Sequence, residues 1–146
     1  MSHIQVDIRN EDRPELEAFL EDRLVEFNFQ TTGITDGELL NASVTDDAGS
    51  IVAGISGHTW GGCCHITRLW VHESRRGSGL GTALMQAAER EAIRRDCRQI
   101  ILSTHGFQAP RFYEKLGFRR LGAIPNYPQG YEKIYYIRYL PGASRT

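Results

Sequence analysis

Between Leu69 and Thr82 the chain reads Leu-Trp-Val-His-Glu-Ser-Arg-Arg-Gly-Ser-Gly-Leu-Gly-Thr, with glycines at alternate positions behind two arginines. Gly77, Gly79 and Gly81 admit backbone angles, and a closeness of approach, that a Cβ would forbid. A helix starting at Leu80 has unpaired N–H groups and partial positive charge in its first turn. Such a turn is an anion site suited to a diphosphate, and Arg75 and Arg76 add charge-assisted contacts. A tight strand-to-helix turn with no ligand would use the same glycines, so the loop alone does not settle the matter. Two nucleotide patterns fail here. A Walker loop ends in Gly-Lys-Ser/Thr, which is absent. A dinucleotide fingerprint spaces its glycines G-x-G-x-x-G and needs an acid at the end of the next strand; here the spacing is G-x-G-x-G and that strand ends Ser103-Thr104-His105.

Cys63-Cys64-His65 raises the question of a metal. Adjacent strand residues point to opposite faces, and no second Cys/His cluster completes four ligands. The reading is no metal, and buried thiols. With Cys97 the cysteines make an odd, sparse set, not a disulfide framework.

The elements that would position this loop follow from periodicity. Ile4, Val6 and Ile8 alternate and predict an opening strand over Ile4–Arg9. Asp12 is the expected cap of a helix with Pro14 in its first turn and Glu15 completing a capping box. Leu16, Phe19, Leu20, Leu24 and Phe27 form one stripe, carrying that helix to about Phe29. Gln30–Gly37 reads as a loop. Leu39–Val44 and Ile51–Thr59 flank an Asp46–Ser50 turn, a hairpin signature. Gly61-Gly62 makes a second turn into a strand over Cys63–Val71. From Leu80 a helix presents Leu80, Ala83, Leu84, Ala87 and Ala88 on one face, with Gln86, Glu89, Arg90 and Arg94 toward water. Ile100–Leu102 mark a buried strand within 98–104. Ala109–Leu116 is a short helix, with Pro110 near its start and Gly117 at its C-terminal cap. Strands over Phe118–Ile124 and Tyr131–Leu140 close the chain. The order β-α-β-β-β-α-β-α-β-β implies an α/β (α+β) fold, a mixed sheet of about six to seven strands with flanking helices.

Length and composition set the class. The chain has 146 residues, which fits one domain over 1–146 and allows a core without staples. With 17 basic and 18 acidic residues the net charge is -1, so no basic face for nucleic acid is expected. Arg94, Arg95 and Arg98 gather at one helix end, but Glu89 and Glu91 beside them suggest a solvated face. No apolar run approaches the roughly 20 residues that span a bilayer. Met1–Asn10 has no signal-peptide h-region. A cytoplasmic protein without membrane partners is expected.

The glycine loop now finds its company. Arg76-Gly77-Ser78-Gly79-Leu80-Gly81 resembles the R/Q-x-x-G-x-G/A pyrophosphate loop of the GNAT acetyltransferase superfamily, and Leu69-Trp70-Val71 resembles the strand before it. Phe107–Phe118 resembles that superfamily's A-x-x-F-Y-x-x-x-G-F segment, through Ala109, Phe112, Tyr113, Gly117 and Phe118. The motifs stand in the family's order, and the likeness runs from the first strand to Leu140. His65-Ile66, Phe107–Pro110 and Tyr127–Tyr131 look like a bacterial subgroup. The resemblance implies acetyl-CoA as co-substrate. Its diphosphate would lie on Arg76, Gly77, Ser78, Gly79, Leu80, Gly81 and Thr82, and its pantetheine arm on the splayed strand at Leu69, Trp70 and Val71. Further contacts would come from Gln108, Ala109, Phe112 and Tyr113. Many members also place Asn seven residues before the Tyr; here Gly106 stands there, with Thr104 or Gln108 as candidate substitutes.

The chemistry implied is acetyl transfer to an amine, in a small molecule or a peptide, by direct attack in a ternary complex. The amine must be neutral, the carbonyl polarised and the leaving thiolate protonated. The resemblance makes Tyr113 the general acid. A phenol of pKa about 10 can protonate a thiolate whose thiol pKa is about 8.5. Backbone N–H groups near Leu69–Val71 would polarise the carbonyl. Glu26 and His65 lead as base by position, with Glu73, His58, His72 and His105 behind them; each also has a structural or solvated reading. Phe27, Phe29, Trp60 and the Tyr127–Tyr131 loop are the acceptor-side candidates, or ordinary packing. Tyr131, Tyr135 and Tyr139 share a strand face that could serve a homodimer interface or close the acceptor cleft. The alternative function is a non-catalytic module that holds an acyl-CoA as a ligand.

Overall fold

The computed structural model describes residues 3–142, in two compact units, Met1–Thr35 and Asp36–Thr146. In the first unit α1 spans Pro14–Thr32. Pro14 opens it, Glu15 and Glu17 lie in its first turn, where the helix dipole favours acids, and Gly33 ends it at φ 69° with its N–H donating to the Phe29 carbonyl at 2.7 Å.

Several expectations for this unit are corrected. Ile4–Arg9 forms no strand, and Ile4, Val6 and Ile8 are 90%, 85% and 91% exposed. A period-two pattern needs a ladder partner to become a strand, and no described segment supplies one. Arg13, not Asp12, is the N-cap, with no side-chain cap bond, and the helix runs on past Phe29 to Thr32. No residue of α1 is buried, and Phe19, Leu24 and Phe27 are exposed. One helix and an irregular segment cannot by themselves enclose an apolar stripe.

The second unit carries β1 (Glu38–Thr45), β2 (Ile51–Trp60), β3 (Cys63–Val71), α2 (Leu80–Arg94), β4 (Gln99–His105), α3 (Pro110–Lys115), β5 (Arg119–Pro125) and β6 (Glu132–Tyr139). Its six-stranded mixed sheet has the order β1-β2-β3-β4-β6-β5. Turn chemistry sets the hairpins. The Asp46 carboxylate accepts from the N–H groups of Ala48 and Ser50 at 3.0 and 2.9 Å, and Gly61 and Gly62 take φ 60° and 84°. Leu84, Met85, Ala88 and Ala92 are the buried face of α2. The expected stripe is thus rotated: Ala83 is exposed, while Met85 and Ala92 join the core. Burying one such Leu or Met side chain contributes about 1.5–3 kcal/mol. Two residues expected in water are tied down. Glu89 accepts from Arg138 Nη1 at 2.7 Å. Arg95 donates to Glu91, to the Leu39 carbonyl and to Thr59 Oγ1, stapling the end of α2 to β1 and β2.

The feature that matters for function is a seam. β3 and β4 run parallel but pair only through Cys63–His65 against Gln99–Ile101. Beyond it β4 stays paired with β6 as far as His105, and β3 stays paired with β2 as far as Val71. A bulge bends β3 at this point: the β2 register jumps from Ser56↔Arg68 to Gly57↔Ile66, leaving Thr67 as the extra residue. The sheet therefore opens into two halves that diverge from a three-residue seam.

Gly57 sits against that bulge. A Cβ there would lie 2.1 Å from the His65 carbonyl oxygen, which is backbone and cannot swing away. Gly57→Ala is expected to cost about 2–3 kcal/mol, as overpacking does, read as a lower urea midpoint. Gly54→Ala, whose Cβ would meet only ordinary contact at 3.6 Å, is the control, and equal losses in both would contradict this account of the bulge.

Candidate active site

At the open end of β3 a 3-10 turn, Glu73–Arg75, leads into the glycine loop. Gly77 and Gly79 have φ 78° and 88° with open space where a Cβ would stand. Gly79 is the N-cap of α2 and no side chain caps it, so the first N–H groups of α2 keep their donors for a ligand. Arg76 Nε donates to the Val71 carbonyl at 3.2 Å, which holds the loop against the strand end. The Ser78 hydroxyl donates back to the Arg75 carbonyl within the loop. Gly81 is different: its Cβ would come 3.2 Å from Phe112 Cζ. It is a packing glycine, and it brings α2 close to α3.

Tyr113, on α3, is 8% exposed. Its ring packs edge-on to Phe112 and Phe118, with centroids 5.1 and 6.0 Å away. Among the described residues the hydroxyl has no hydrogen-bond partner, and no buried side-chain polar atom lacks one. The hydroxyl is therefore open to the cavities that Tyr113 lines. Burial of the ring pushes the phenol pKa above its usual 10, so the hydroxyl keeps its proton at neutral pH.

Two cavities meet at this tyrosine. The larger, about 660 Å³, is lined by Leu69–Val71, Arg75–Gly77, Gly79–Thr82, Phe107–Ala109, Phe112 and Tyr113. The smaller, about 260 Å³, lies in the splay between Ile66–Leu69 and Leu102–Thr104, closed by Gln108, Ala109 and Tyr113. Gln108 Oε1 accepts from the His105 N–H at 2.8 Å and from Thr104 Oγ1 at 3.2 Å. This fixes the turn between β4 and α3. His105 Nδ1 donates to the Tyr127 carbonyl at 2.9 Å, and its ring stacks between Phe107 and Tyr127.

The structure thus brings together nearly every residue that the sequence offered for cofactor binding. Leu69, Trp70, Val71, Arg76, Gly77, Gly79, Leu80, Gly81, Thr82, Gln108, Ala109, Phe112 and Tyr113 share the larger cavity, and Thr104 lines the smaller. Ser78 lines neither. His65 also lines neither: it sits in the closed seam opposite Ile101, edge-on to His58 at 5.2 Å. Burial, and then His58, lower its pKa, so it is neutral at neutral pH. Glu26 belongs to the other unit, where it pairs with Arg23 at 3.5 Å. Burial pushes the Cys64 thiol up to about 12, which leaves no thiolate near pH 7. Ile66–Arg68 and Leu102–Ser103 are the lining residues that sequence reasoning missed; the apolar spacing changes parity between Ile66 and Leu69, and nothing local marks Leu102 or Ser103.

Known proteins resemble this chain in sequence and fold. A family model described as the acetyltransferase (GNAT) family matches residues 5–118. Acetyltransferase Atu2258 of Agrobacterium fabrum is 34% identical over 110 residues, 75% of this chain and 80% of that protein. Blasticidin-S acetyltransferase of Streptomyces morookaense is 38% identical over 85 residues, 58% of this chain and 62% of that protein. The crystal structure of an acetyltransferase from Bacillus cereus superposes with a TM-score of 0.78 at 31% identity, over 92% of this chain and 98% of that one.

The unpartnered hydroxyl of Tyr113 has a consequence for stability. Tyr113→Phe removes no protein hydrogen bond and leaves the ring packing in place. It is expected to shift unfolding free energy by less than about 0.5 kcal/mol in a urea melt. A loss of about 2 kcal/mol would mean that the hydroxyl is a structural anchor.

Proposed function

The chain belongs to the GNAT acetyltransferase family, and on that premise we propose that it transfers the acetyl group of acetyl-CoA directly to an amine acceptor in a ternary complex. The observation that carries the reading is the Tyr113 hydroxyl, proton-bearing and unpartnered, at the common wall of two cavities. The larger has the glycine loop at one end for the diphosphate. The smaller has room for an amine approaching from the splay. The co-substrate supplies the acetyl group as a thioester.

The chain's own groups do the rest. Bare N–H groups at Gly77 to Gly81, with Arg75 and Arg76, hold the diphosphate. Backbone groups of β3 at Leu69–Val71 no longer pair with β4, so they are free to orient the pantetheine arm and to polarise the carbonyl. As the C–N bond forms and the C–S bond breaks, Tyr113 gives its proton to the departing sulfur. An amine of pKa about 10.4 is neutral in only about one molecule per thousand at pH 7, so its proton must be taken. Glu26 and His65 are the proposed bases; His65, held neutral, would act from the seam through intervening water. No helix among the described residues is long and apolar enough to cross a membrane, and we place the activity in the cytoplasm as part of the same proposal.

The test is thiol release from acetyl-CoA over a broad set of amines. Tyr113→Phe is expected to lower kcat by about 10²–10⁴, the usual contribution of a general acid, with the KM for acetyl-CoA nearly unchanged. Equal loss of binding and turnover would make the tyrosine structural.

The pH profile gives an independent check. Tyr113 acts in its protonated form and its pKa is raised from 10, so any alkaline loss that it causes must have its midpoint above pH 10. A midpoint below that, absent from the Phe variant, would contradict the assignment.

A further inference from the structure

We propose that the acceptor is a small amine that also carries a carboxylate, and that Arg68 in the smaller cavity reads that carboxylate. The inference deepens the transferase reading and rests on it. Arg68 is the one charged residue lining this cavity, and among the described residues its guanidinium has no hydrogen bond or ion pair. The bulge explains why it is there. Cys64 and Ile66 are buried, so strict alternation would bury Arg68 as well; the extra residue Thr67 breaks the parity, and Leu69 takes the inward place instead. Arg68 is thereby turned out of the core at the mouth of the splay.

The other polar groups of the cavity point to the same ligand. A backbone N–H only donates, so the bond from His105 N–H fixes Gln108 Oε1 as the acceptor and leaves the Gln108 NH₂ group with its donors unclaimed. The Ser103 hydroxyl has no hydrogen-bond partner among the described residues. The Thr67 hydroxyl is already spent on the Ser56 carbonyl at 3.2 Å. Beside the Tyr113 hydroxyl, the cavity therefore offers a planar cation, an amide NH₂ and the Ser103 hydroxyl, with no acid among its lining residues. Donors of this kind match a carboxylate, which can take the guanidinium fork in two parallel bonds. A polycationic acceptor would meet an uncompensated like charge. At about 260 Å³ the space falls below the roughly 300–1,000 Å³ of sites for drug-sized ligands, so the acceptor is of amino-acid size.

The experiment compares matched acceptors: amino acids against their α-amides and their decarboxylated amines, each with acetyl-CoA, read as thiol release. The carboxylate-bearing member is expected to have the higher kcat/KM, by about tenfold or more, the scale of a charge-assisted hydrogen bond. Arg68→Ala should remove that preference by slowing the acids alone, with the KM for acetyl-CoA held within about twofold. Arg68→Lys should restore part of it. Arg68 is exposed, so both variants should fold, and a thermal melt checks this. Equal use of acids and amides by the unaltered protein would overturn the inference and leave the transferase reading intact. So would an Arg68→Ala variant that keeps the preference but loses affinity for acetyl-CoA, because the arginine would then serve the co-substrate. If acetyl-CoA binds and no amine of any kind releases thiol, the transferase reading fails and this inference fails with it.

Discussion

A strand inside a sheet spends its N–H and C=O groups on two neighbours, and β3 loses one of them after His65. Buried backbone groups do not stay unpaired. The stretch from Ile66 to Val71 must therefore face either water or a ligand along its β4 side, and the fold surrounds that stretch with a cavity. Everything else in the site follows from this divergence. The bulge at Thr67 swings β3 away, Gly57 lets β2 follow the bend, and the pairing of β4 with β6 keeps the other half of the sheet from closing the gap. The opening is built into the strand order, and no loop has to move to create it.

The glycines of the loop divide the labour. Gly77 and Gly79 adopt positive φ with nothing where a Cβ would point, which presents amides to a ligand. Gly81 instead lets Phe112 come close. Phe112 in turn packs on the ring of Tyr113. The start of α2, the start of α3 and the tyrosine thus form one packed set. A diphosphate bound at the loop would sit at a fixed distance from the hydroxyl, the preorganisation that transfer between two bound partners requires. This makes an acetyltransferase of the family's kind a better account of Tyr113 than a passive acyl-CoA receptor, in which an unpartnered phenol would have no task.

Much of this was legible in the sequence because its signals are local. The Asp46 turn, the Gly61-Gly62 turn, the glycine loop and the start of α2 at Leu80 are each set by a few adjacent residues. The family motif pointed to Tyr113, which lines both cavities. Pairing is where reading by periodicity stopped. Ile4, Val6 and Ile8 alternate as a strand should, yet they have no strand partner among the described residues. Arg95 and Glu89 look like solvated charges on a helix face until their partners on β1, β2 and β6 are known. The splay between β3 and β4 joins segments far apart in the chain, and no local pattern announces it. One trace was present: apolar residues fall at Cys64 and Ile66, then at Leu69 and Val71 after a change of parity, which marks the bulge that exposes Arg68.

The central claim is that the bare amides of the glycine loop grip the diphosphate of acetyl-CoA, and calorimetric titration tests it most directly. Three proteins are compared: the unaltered chain, Gly79→Val, and Gly49→Val. Gly49 has nearly the same φ, 83° against 88°, and is equally open, but it lies in the β1–β2 hairpin, outside the cavity lining. Both valines carry the same left-handed strain, about 1–2 kcal/mol. The account expects a clear binding heat from the unaltered chain, affinity kept in Gly49→Val, and a loss of at least about tenfold in Gly79→Val. No heat from the unaltered chain, or equal affinity in all three, would contradict it.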